Sequence, residues 1–400
     1  MPQYLSPGVY VEEVPPKARP IAGVGTSTAG FIGVVADSVA MPPIPGQFQK
    51  DDKNEIQRDE KGNPIPILYT VAPTNLPQLI TSWEQFKTKF GDIHADNKIL
   101  AHAVYGFFNN GGTRCWVLRV ATAAELNDPS QELQKFEAID EITIVAVPGA
   151  TSKTQQEAII DHCEKMKDRV AVLDGTQTLE SVTTNAITNS TRNSNYAALY
   201  FPWIKVFDPV SQGNIAHPPS GHIAGVYARV DGERGVYKAP ANEVIRGAVD
   251  LELKLGKNDQ DGLNPKGINI IRAFDGNIKI WGARTLGGDD NGEFKYISTR
   301  RYFNFLRESI DEGTQFVVFE PNTPALWERI KRSVGDFLLN QWRDGALFGE
   351  TPKQAFFVKC DAETNPPEVR ELGQVVTLIG VAIIKPAEFV IFRIEQTTGS

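Results

Sequence analysis

The stretch ITIVAVPGATSKTQQEAIIDHCEKMKDRVAVLD, residues 142–174, contains the pattern from which the fold class follows. Its apolar run Ile142–Val147 has the length of a buried strand, and Val170–Leu173 is a second run of the same kind. The segment between them, Thr154–Met166, is predicted to be helical. Two buried strands joined by a helix indicate a unit whose strands run parallel. The sequence therefore predicts an α/β domain with a largely parallel sheet.

The same alternation continues on both sides of this unit. Upstream, the glycine-rich segment 22–35 predicts a turn that leads into a buried strand. Ser82 has the chemistry of a helix N-cap, and the helix that it begins is predicted to end at Phe90. The other predicted elements are helices at 98–109 and 242–254 and strands at 115–120, 196–206 and 268–272.

Both ends of the chain contain short strand-forming segments that prolines separate from their surroundings. Pro7 and Pro15 bound the first segment, and Pro386 precedes the second. A strand isolated in this way does not easily fold back, so we expect it to join the sheet of a neighbouring copy. An edge strand of its own domain is the alternative. The residues expected to pair between subunits are Val9, Tyr10, Val11, Glu12, Val14, Phe389, Val390, Ile391, Phe392 and Ile394.

The run GGDDNG at 287–292 is the strongest break in the chain and predicts a domain boundary. Beyond it we expect helices at 298–312 and 324–342 around a strand at 315–320, followed by strands at 356–360 and 374–384. The predicted division is an N-terminal strand arm (1–22), an α/β domain (23–286) with an exposed loop at 41–66, a C-terminal α+β domain (287–385) and a C-terminal strand arm (386–400).

Composition and charge limit the classes of function. The 400 residues carry a net charge of -8 without clustered Lys and Arg, so we expect no nucleic-acid binding. Three widely spaced cysteines argue against a disulfide framework and favour a reducing compartment. The N-terminus lacks a signal-peptide pattern, and the most apolar stretch, 375–384, is too short to span a bilayer. We therefore expect synthesis in the cytoplasm and no direct membrane insertion.

No pattern predicts a cofactor or a metal ion. Gly23, Gly25 and Gly30 lack the spacing of a dinucleotide-binding loop. The five histidines form no His-Glu-x-x-His pattern, and the chain has no Cys-x-x-Cys. Paired carboxylates such as Asp289-Asp290 lie near turns, where a solvated role is the default. We expect neither cofactor-binding nor metal-binding residues.

One group of motifs is similar to those of serine proteases. Val170–Gly175 resembles the aspartate strand of subtilisins, and Gly221–Val226 weakly resembles their histidine segment. The candidate nucleophile Ser27 precedes both segments, whereas subtilisins place their serine last. No serine after His222 lies on a comparable strand-to-helix turn. These motifs predict a subtilisin-like fold without a working triad and without catalytic residues.

Short motifs along the whole chain carry a wider resemblance. They are PGVYVEEVP (7–15), TAGFIG (28–33), NGGTRCWV (110–117), PPSGHIAG (218–225), RGVYKAPAN (234–242), LNP (263–265), WGARTL (281–286), EGTQ (312–315), FEPN (319–322) and PAEFV (386–390). Together they resemble contractile tail sheath proteins, the family found in bacteriophage tails and in phage-derived contractile injection systems. The similarity omits only 41–66 and parts of 176–195.

This resemblance implies a subunit of stacked hexameric rings around an inner tube made of a second protein. Such a sheath contracts and drives the tube through a target envelope, while the N- and C-terminal arms complete a small sheet in adjacent subunits. The implied partners are other copies of the chain, the inner tube protein, and baseplate and terminal cap proteins. After assembly in the cytoplasm the subunit would belong to a phage-like particle, extracellular or membrane-anchored.

The predicted fold is α/β (α+β overall). It consists of a subtilisin-like sheath domain without a working triad, a C-terminal α+β domain, and extended N- and C-terminal strand arms. The compact length favours an injection system, and the tail sheath of a contractile bacteriophage is the alternative. Two alternative functions are a subtilisin-like hydrolase and a soluble module that binds peptides by strand addition.

The predicted helix 324–342 has one apolar side and one charged side. We expect Arg329, Lys331 and Arg332, on the charged side, to contact the inner tube. An ordinary core-packed helix with a solvated basic patch is the alternative.

Overall fold

The computed structural model describes residues 20–177, 187 and 192–393 of the chain. Helices lie at Trp83–Phe90 (α1), Lys98–Asn109 (α2), Ser130–Gln134 (α3), Lys153–Met166 (α4), Ser220–Arg234 (α5), Lys257–Leu263 (α6), Ile297–Thr314 (α7), Pro324–Arg343 (α8), Pro352–Ala355 (α9) and Pro367–Glu371 (α10). Strands lie at Ala29–Val34 (β1), Pro43–Phe48 (β2), Pro66–Leu68 (β3), Gln78–Ile80 (β4), Cys115–Val120 (β5), Ile144–Ala146 (β6), Val170–Asp174 (β7), Ala197–Phe201 (β8), Ile204–Asp208 (β9), Gly213–His217 (β10), Glu243–Val244 (β11), Ala248–Leu251 (β12), Ile268–Phe274 (β13), Asn277–Ile280 (β14), Phe356–Lys359 (β15) and Leu378–Val381 (β16).

A nine-stranded mixed sheet forms the centre of the fold. Its strand order is β11-β14-β13-β8-β7-β6-β1-β5-β4. The six strands from β13 to β5 run parallel to one another. The strands outside them, β4, β14 and β11, pair antiparallel. The α/β class and the largely parallel sheet are therefore confirmed, and a three-stranded sheet, β10-β9-β12, is added to them.

Helices cover both faces of the large sheet, which is why its strands are almost entirely apolar. Along β1, Phe31 belongs to one hydrophobic core and Ile32 to the other, as successive residues of a strand point to opposite faces. The core on the Phe31 side includes residues of α2 and α5. The core on the Ile32 side includes Ile159 and Ile160 of α4.

Glycines allow α2 and α5 to pack in close contact. A Cβ atom on Gly221 of α5 would lie 2.5 Å from the Cα atom of Ala103 on α2. One on Gly225 would lie 2.4 Å from the carbonyl oxygen of Phe107. No side chain larger than hydrogen fits at these distances, so the two glycines set the separation of the helices.

The chain divides into two compact units. Among the described residues, the larger unit contains 24–307 and 385–393, and the smaller unit contains 308–384 together with 20–23. In the smaller unit, α8 buries an apolar face, and β15 and β16 form an antiparallel two-stranded sheet. The division predicted near residue 287 stays a prediction.

Most elements predicted from local patterns are present. Helices α1, α2, α4, α7 and α8 lie within two residues of the predicted bounds. Ser82 caps α1 by accepting a hydrogen bond from the backbone N–H of Gln85. Strand β5 has the predicted limits, while β6 and β16 are shorter than expected.

Two predicted elements are wrong. The segment 242–254 is not a helix but contains strands β11 and β12, because Gly247 has a φ of 86° and the strands pair with β14 and β9. The segment 315–320 is not a strand: it begins with a 3-10 turn, Gln315–Val317, that directly follows α7.

Two further predictions need correction in detail. The predicted strand 196–206 is two strands, β8 and β9, separated by Pro202, which has no N–H to donate to a sheet. The loop 41–66 is exposed, as expected, but it carries strand β2, which pairs with β3, and its Asp51 and Asp59 side chains close tight turns.

Candidate functional site

Asp174, at the end of β7, is the centre of the protease-like motifs. Its carboxylate accepts hydrogen bonds from the N–H of Gly149 (3.0 Å), the N–H of Ser220 (2.8 Å) and the Oγ hydroxyl of Ser220 (2.7 Å). Burial raises the pKa of Asp174 to about 6, although these hydrogen bonds oppose the shift. Ser220 begins α5, so the carboxylate fixes the start of that helix.

His222 follows Ser220 by two residues but makes different contacts. Its buried ring lies 5.6 Å from the ring of His217, centroid to centroid, and packs over Gly106. Burial lowers the pKa of His222 to about 3. The Asp174 partner is thus Ser220, which sequence reasoning missed, and neither His222 nor Ser27 is among the residues that hydrogen-bond to this carboxylate.

An open crevice of about 420 Å³ lies at the carboxyl ends of β1 and β6, beside the start of α2. Such a position is where ligands commonly bind in parallel sheets. Its charged side chains already have protein partners, since Lys98 pairs with Asp208 at 3.2 Å and Asp96 accepts from the Ser38 hydroxyl at 2.9 Å. The crevice therefore offers no unpaired charge to a ligand.

The C-terminal segment exposes its apolar residues. The residues Phe389, Val390, Ile391 and Phe392 are 70%, 69%, 80% and 84% exposed, respectively. They are not in a strand within the described chain. The remaining arm residues, Val9, Tyr10, Val11, Glu12, Val14 and Ile394, lie outside the described residues. These four consecutive side chains therefore form a contiguous exposed apolar patch.

The β15–β16 sheet of the smaller unit has open edges in the part of the chain that the structure describes. Phe357 pairs with Gly380 and Val358 with Ile379, but among the described residues the sheet has only these two strands. Each strand therefore leaves one edge without a neighbouring strand. Phe357 and Leu378 are more than half exposed, so the sheet offers apolar surface together with open edges. The sequence analysis predicted strands at 356–360 and 374–384, where β15 and β16 lie, but not their pairing with each other.

The three residues of α8 that were expected to contact the inner tube have different surroundings. Lys331 pairs with Glu328 at 2.5 Å, and Arg329 pairs with Glu320 at 3.2 Å. Arg332 is exposed. The opposite face of the helix is buried, as predicted, through Leu326, Trp327, Ile330, Val334, Phe337 and Leu338.

The fold and these surfaces define an α/β protein with an exposed apolar segment and a small two-stranded sheet beside its large mixed sheet. A family model described as "Phage tail sheath protein central domain" matches residues 122–286, and one described as "Phage tail sheath C-terminal domain" matches 289–397. Together they cover more than half of the chain, which therefore belongs to the phage tail sheath family. The resemblance seen in the short motifs is confirmed.

Two of the curated relatives are tail sheath proteins of phages. The chain is 26% identical to the tail sheath protein of Burkholderia phage BcepMu, over 52% of this chain and 44% of the relative. It is 26% identical to the tail sheath protein of Vibrio phage KVP40, over 53% of this chain and 31% of that relative. The chain spans less than half the length of these two proteins.

Solved structures match over nearly the whole chain. One is the sheath complex of PVC, an extracellular contractile injection system, in its contracted state, with 28% identity, a TM-score of 0.75 and coverage of 99% of both chains. Another, from the baseplate of the anti-feeding prophage, has 27% identity and a TM-score of 0.73, and covers 99% of this chain and 100% of that one.

The described residues contain neither a candidate membrane span nor a candidate metal site. No helix between residues 20 and 393, outside the two undescribed gaps, is both long and apolar enough to cross a membrane. In the same part of the chain no group of three or more His, Cys, Asp or Glu side chains is placed to hold a metal ion.

Proposed function

We propose that the chain is a structural sheath subunit that polymerises into stacked hexameric rings around an inner tube and contracts to drive the tube through a target envelope. The observation that carries this proposal is the match to the contracted PVC sheath subunit over 99% of both chains. The favoured context is a phage-like contractile injection system, because the injection-system chains match over 99% of this chain, whereas the curated phage relatives match over about half of it. The tail sheath of a contractile bacteriophage is the second candidate.

The proposal includes partners and a location. The first proposed partner is another copy of the chain. The match to a chain from a baseplate structure supports contact with baseplate proteins as well. An inner tube protein and a terminal cap complete the particle. The subunit is made and assembled in the cytoplasm and then forms part of the particle.

Strand exchange would join the subunits. The exposed segment 389–392 supplies apolar side chains in a chain stretch without secondary structure, and the β15–β16 sheet supplies open edges. An added strand makes several backbone hydrogen bonds, each worth about 0.5–1.5 kcal/mol net. The N-terminal segment 9–14 is proposed to add to the same kind of sheet. Repeated in every ring, these links would hold the subunits together while rigid units reorient.

The larger unit is proposed to be subtilisin-like in arrangement without being a hydrolase. The parallel sheet, and the contact between the end of β7 and the start of α5, support the likeness. The Asp174 carboxylate is satisfied by three donors and orients no histidine, so it lacks the role that a triad aspartate has.

Negative-stain microscopy tests the proposal. The purified protein, or the protein co-expressed with its tube protein, should give tubes or stacked hexameric rings. A variant with serine at positions 389–392 should fold, as judged by circular dichroism, but form no tubes. Tubes of wild-type yield from this variant would refute the strand exchange. A wild-type protein that stays monomeric under all conditions, and whose hydrolytic activity Ser27→Ala abolishes, would overturn the sheath function itself.

A further inference from the structure

At the start of the C-terminal arm a charged side chain is largely buried and apolar side chains are exposed, which is the opposite of the usual distribution. Glu388 is a charged residue whose side chain is only 19% exposed, whereas the four apolar residues after it are at least 69% exposed. Burying a carboxylate costs free energy unless hydrogen bonds and an opposite charge compensate it. Glu388 therefore needs a set of partners, and the structure provides one.

Four donors surround the Glu388 carboxylate. Arg284 donates from Nε to Oε1 (2.8 Å) and from one terminal nitrogen to Oε2 (2.9 Å), the paired geometry that suits a guanidinium and a carboxylate. Asn264 donates to Oε1 at 2.7 Å, and the Tyr296 hydroxyl donates to Oε2 at 2.8 Å. Although burial acts in the opposite direction, these bonds lower the pKa of Glu388 and keep it ionised.

Arg284 is in turn fixed to the large sheet. The guanidinium is 3% exposed and also pairs with Asp289 at 3.0 Å. The backbone of Arg284 exchanges two hydrogen bonds with the side chain of Asn269, a residue of β13, at 2.7 and 2.8 Å. A chain of direct contacts thus runs from Glu388 through Arg284 to the central sheet.

We propose that the Glu388–Arg284 pair anchors the root of the C-terminal arm, so that a pull on the arm acts on the nine-stranded sheet of its own subunit. This inference rests on the proposed strand exchange. It adds the positioning residues, Glu388 and Arg284, through which an exchanged strand would transmit force to the sheet. Without the anchor, the exposed segment would be joined to the large sheet only through unconstrained backbone. Contraction of one subunit would then first extend this backbone, and only afterwards move the neighbouring subunit.

The neighbouring ion pair of Lys385 and Glu293 provides a matched control. It joins the same arm root to the same unit at 2.8 Å, but the Glu293 side chain is 84% exposed, and solvent screens such a pair. Both pairs link a basic residue to a glutamate about a hundred residues away, and only one is buried. Glu388→Ala and Glu293→Ala therefore compare the buried and the exposed link.

The first measurement uses unassembled full-length protein that elutes as a single copy. A fluorophore is attached to a cysteine introduced by Val390→Cys, which is selective because Cys115, Cys163 and Cys360 are buried. Glu388→Ala should lower the fluorescence anisotropy of the label clearly, and Glu293→Ala should leave it unchanged. An unchanged anisotropy in Glu388→Ala would overturn the anchor, whatever the protein does in assembly.

The second measurement counts tubes formed by unlabelled protein. Glu388→Ala should reduce the tube yield at least tenfold, and Glu293→Ala should keep it within twofold of wild type. Freed label motion together with a wild-type tube yield would also overturn the inference. If Glu388→Ala does not fold, Glu388→Gln, which keeps the shape and loses the charge, takes its place with the same expectations. A wild-type protein that forms no tubes contradicts the sheath function instead, while the anisotropy comparison still tests the anchor.

Discussion

Phe319 combines complete exposure of its side chain (103%) with a backbone φ of 65°, in the left-handed region. A bulky residue in this region costs roughly 1–2 kcal/mol compared with its ordinary conformations. The side chain buries nothing in the subunit that would offset that cost. Strained and exposed residues of this kind concentrate where proteins meet partners, so Phe319 is a candidate contact in the polymer.

Replacing Phe319 by glycine should therefore stabilise the isolated subunit by up to about 1 kcal/mol, because glycine adopts positive φ without strain. Denaturant unfolding of single-copy protein measures the change. Val318→Gly is the control. Val318 is also exposed, but its φ of -66° is unstrained. Glycine there relieves no strain and only increases the conformational entropy of the unfolded chain, so the folded protein should lose stability. A loss of stability in Phe319→Gly comparable to that in Val318→Gly would contradict the expectation.

His162 makes the stability of the larger unit sensitive to acid. Burial, reinforced by Arg169, lowers the pKa of His162 to about 4, and its Nε2 atom has no partner. Between pH 6.5 and 4 the unfolded chain binds a proton at this residue that the folded chain does not, so stability falls as the pH falls. Asp174 has the opposite effect on stability. Because its pKa is raised in the folded chain, between pH 6 and 3.8 the folded chain binds a proton at Asp174 that the unfolded chain does not, and stability rises as the pH falls.

His162→Gln should flatten the acid side of the stability curve by up to about 1.4 kcal/mol per pH unit between pH 6 and 4. Urea unfolding at a series of pH values gives the slopes. The Asp174 contribution is the same in both proteins and cancels in the comparison. His94→Gln is the matched control, since the His94 side chain is 40% exposed, and equal slopes in all three proteins would rule out the role of His162.

At the scale of elements, the contact between α2 and α5 depends on glycines. Gly221→Ala would place a methyl group 2.5 Å from the backbone of Ala103, so the helices must separate, at a cost of about 1–3 kcal/mol. On the same helix, a Cβ atom at Gly232 meets no atom within 4 Å. Gly232→Ala should stabilise by up to about 1 kcal/mol through helix propensity. Thermal unfolding distinguishes the two, and a Gly221→Ala protein as stable as Gly232→Ala would show that the contact is not close.

Elements whose pattern is local could be predicted from the sequence, and those that depend on distant partners could not. The unit 142–174 folds as expected, because its buried runs and its Ser152-capped helix are specified by adjacent residues. The segment 242–254 was missed because its strands exist through pairing with β14 and β9. The Ser220–Asp174 bond spans 46 residues, and no local pattern indicates it.

At the scale of the whole molecule, the charged side of α8 should meet the inner tube. Changing both Lys331 and Arg332 to glutamate should prevent co-assembly with the tube protein, because it reverses the charge of that surface. The control variant changes Lys53 and Lys61, which are exposed in the 41–66 segment, to glutamate. It makes the same change in net charge at a different surface, and co-assembly should persist. Co-purification of tube and sheath measures the effect, and tube-filled sheaths from the Lys331 and Arg332 variant would reject the contact.

The open edges that the β15–β16 sheet has among the described residues would link the stability of the chain to its concentration. Under the proposed strand exchange, the open edges are filled only when copies meet, so association and folding are coupled by mass action. A dilute sample should melt at a lower temperature than a concentrated one, and a long polymer should melt above both. For this chain, the melting temperature is then a property of the population and not of the single molecule.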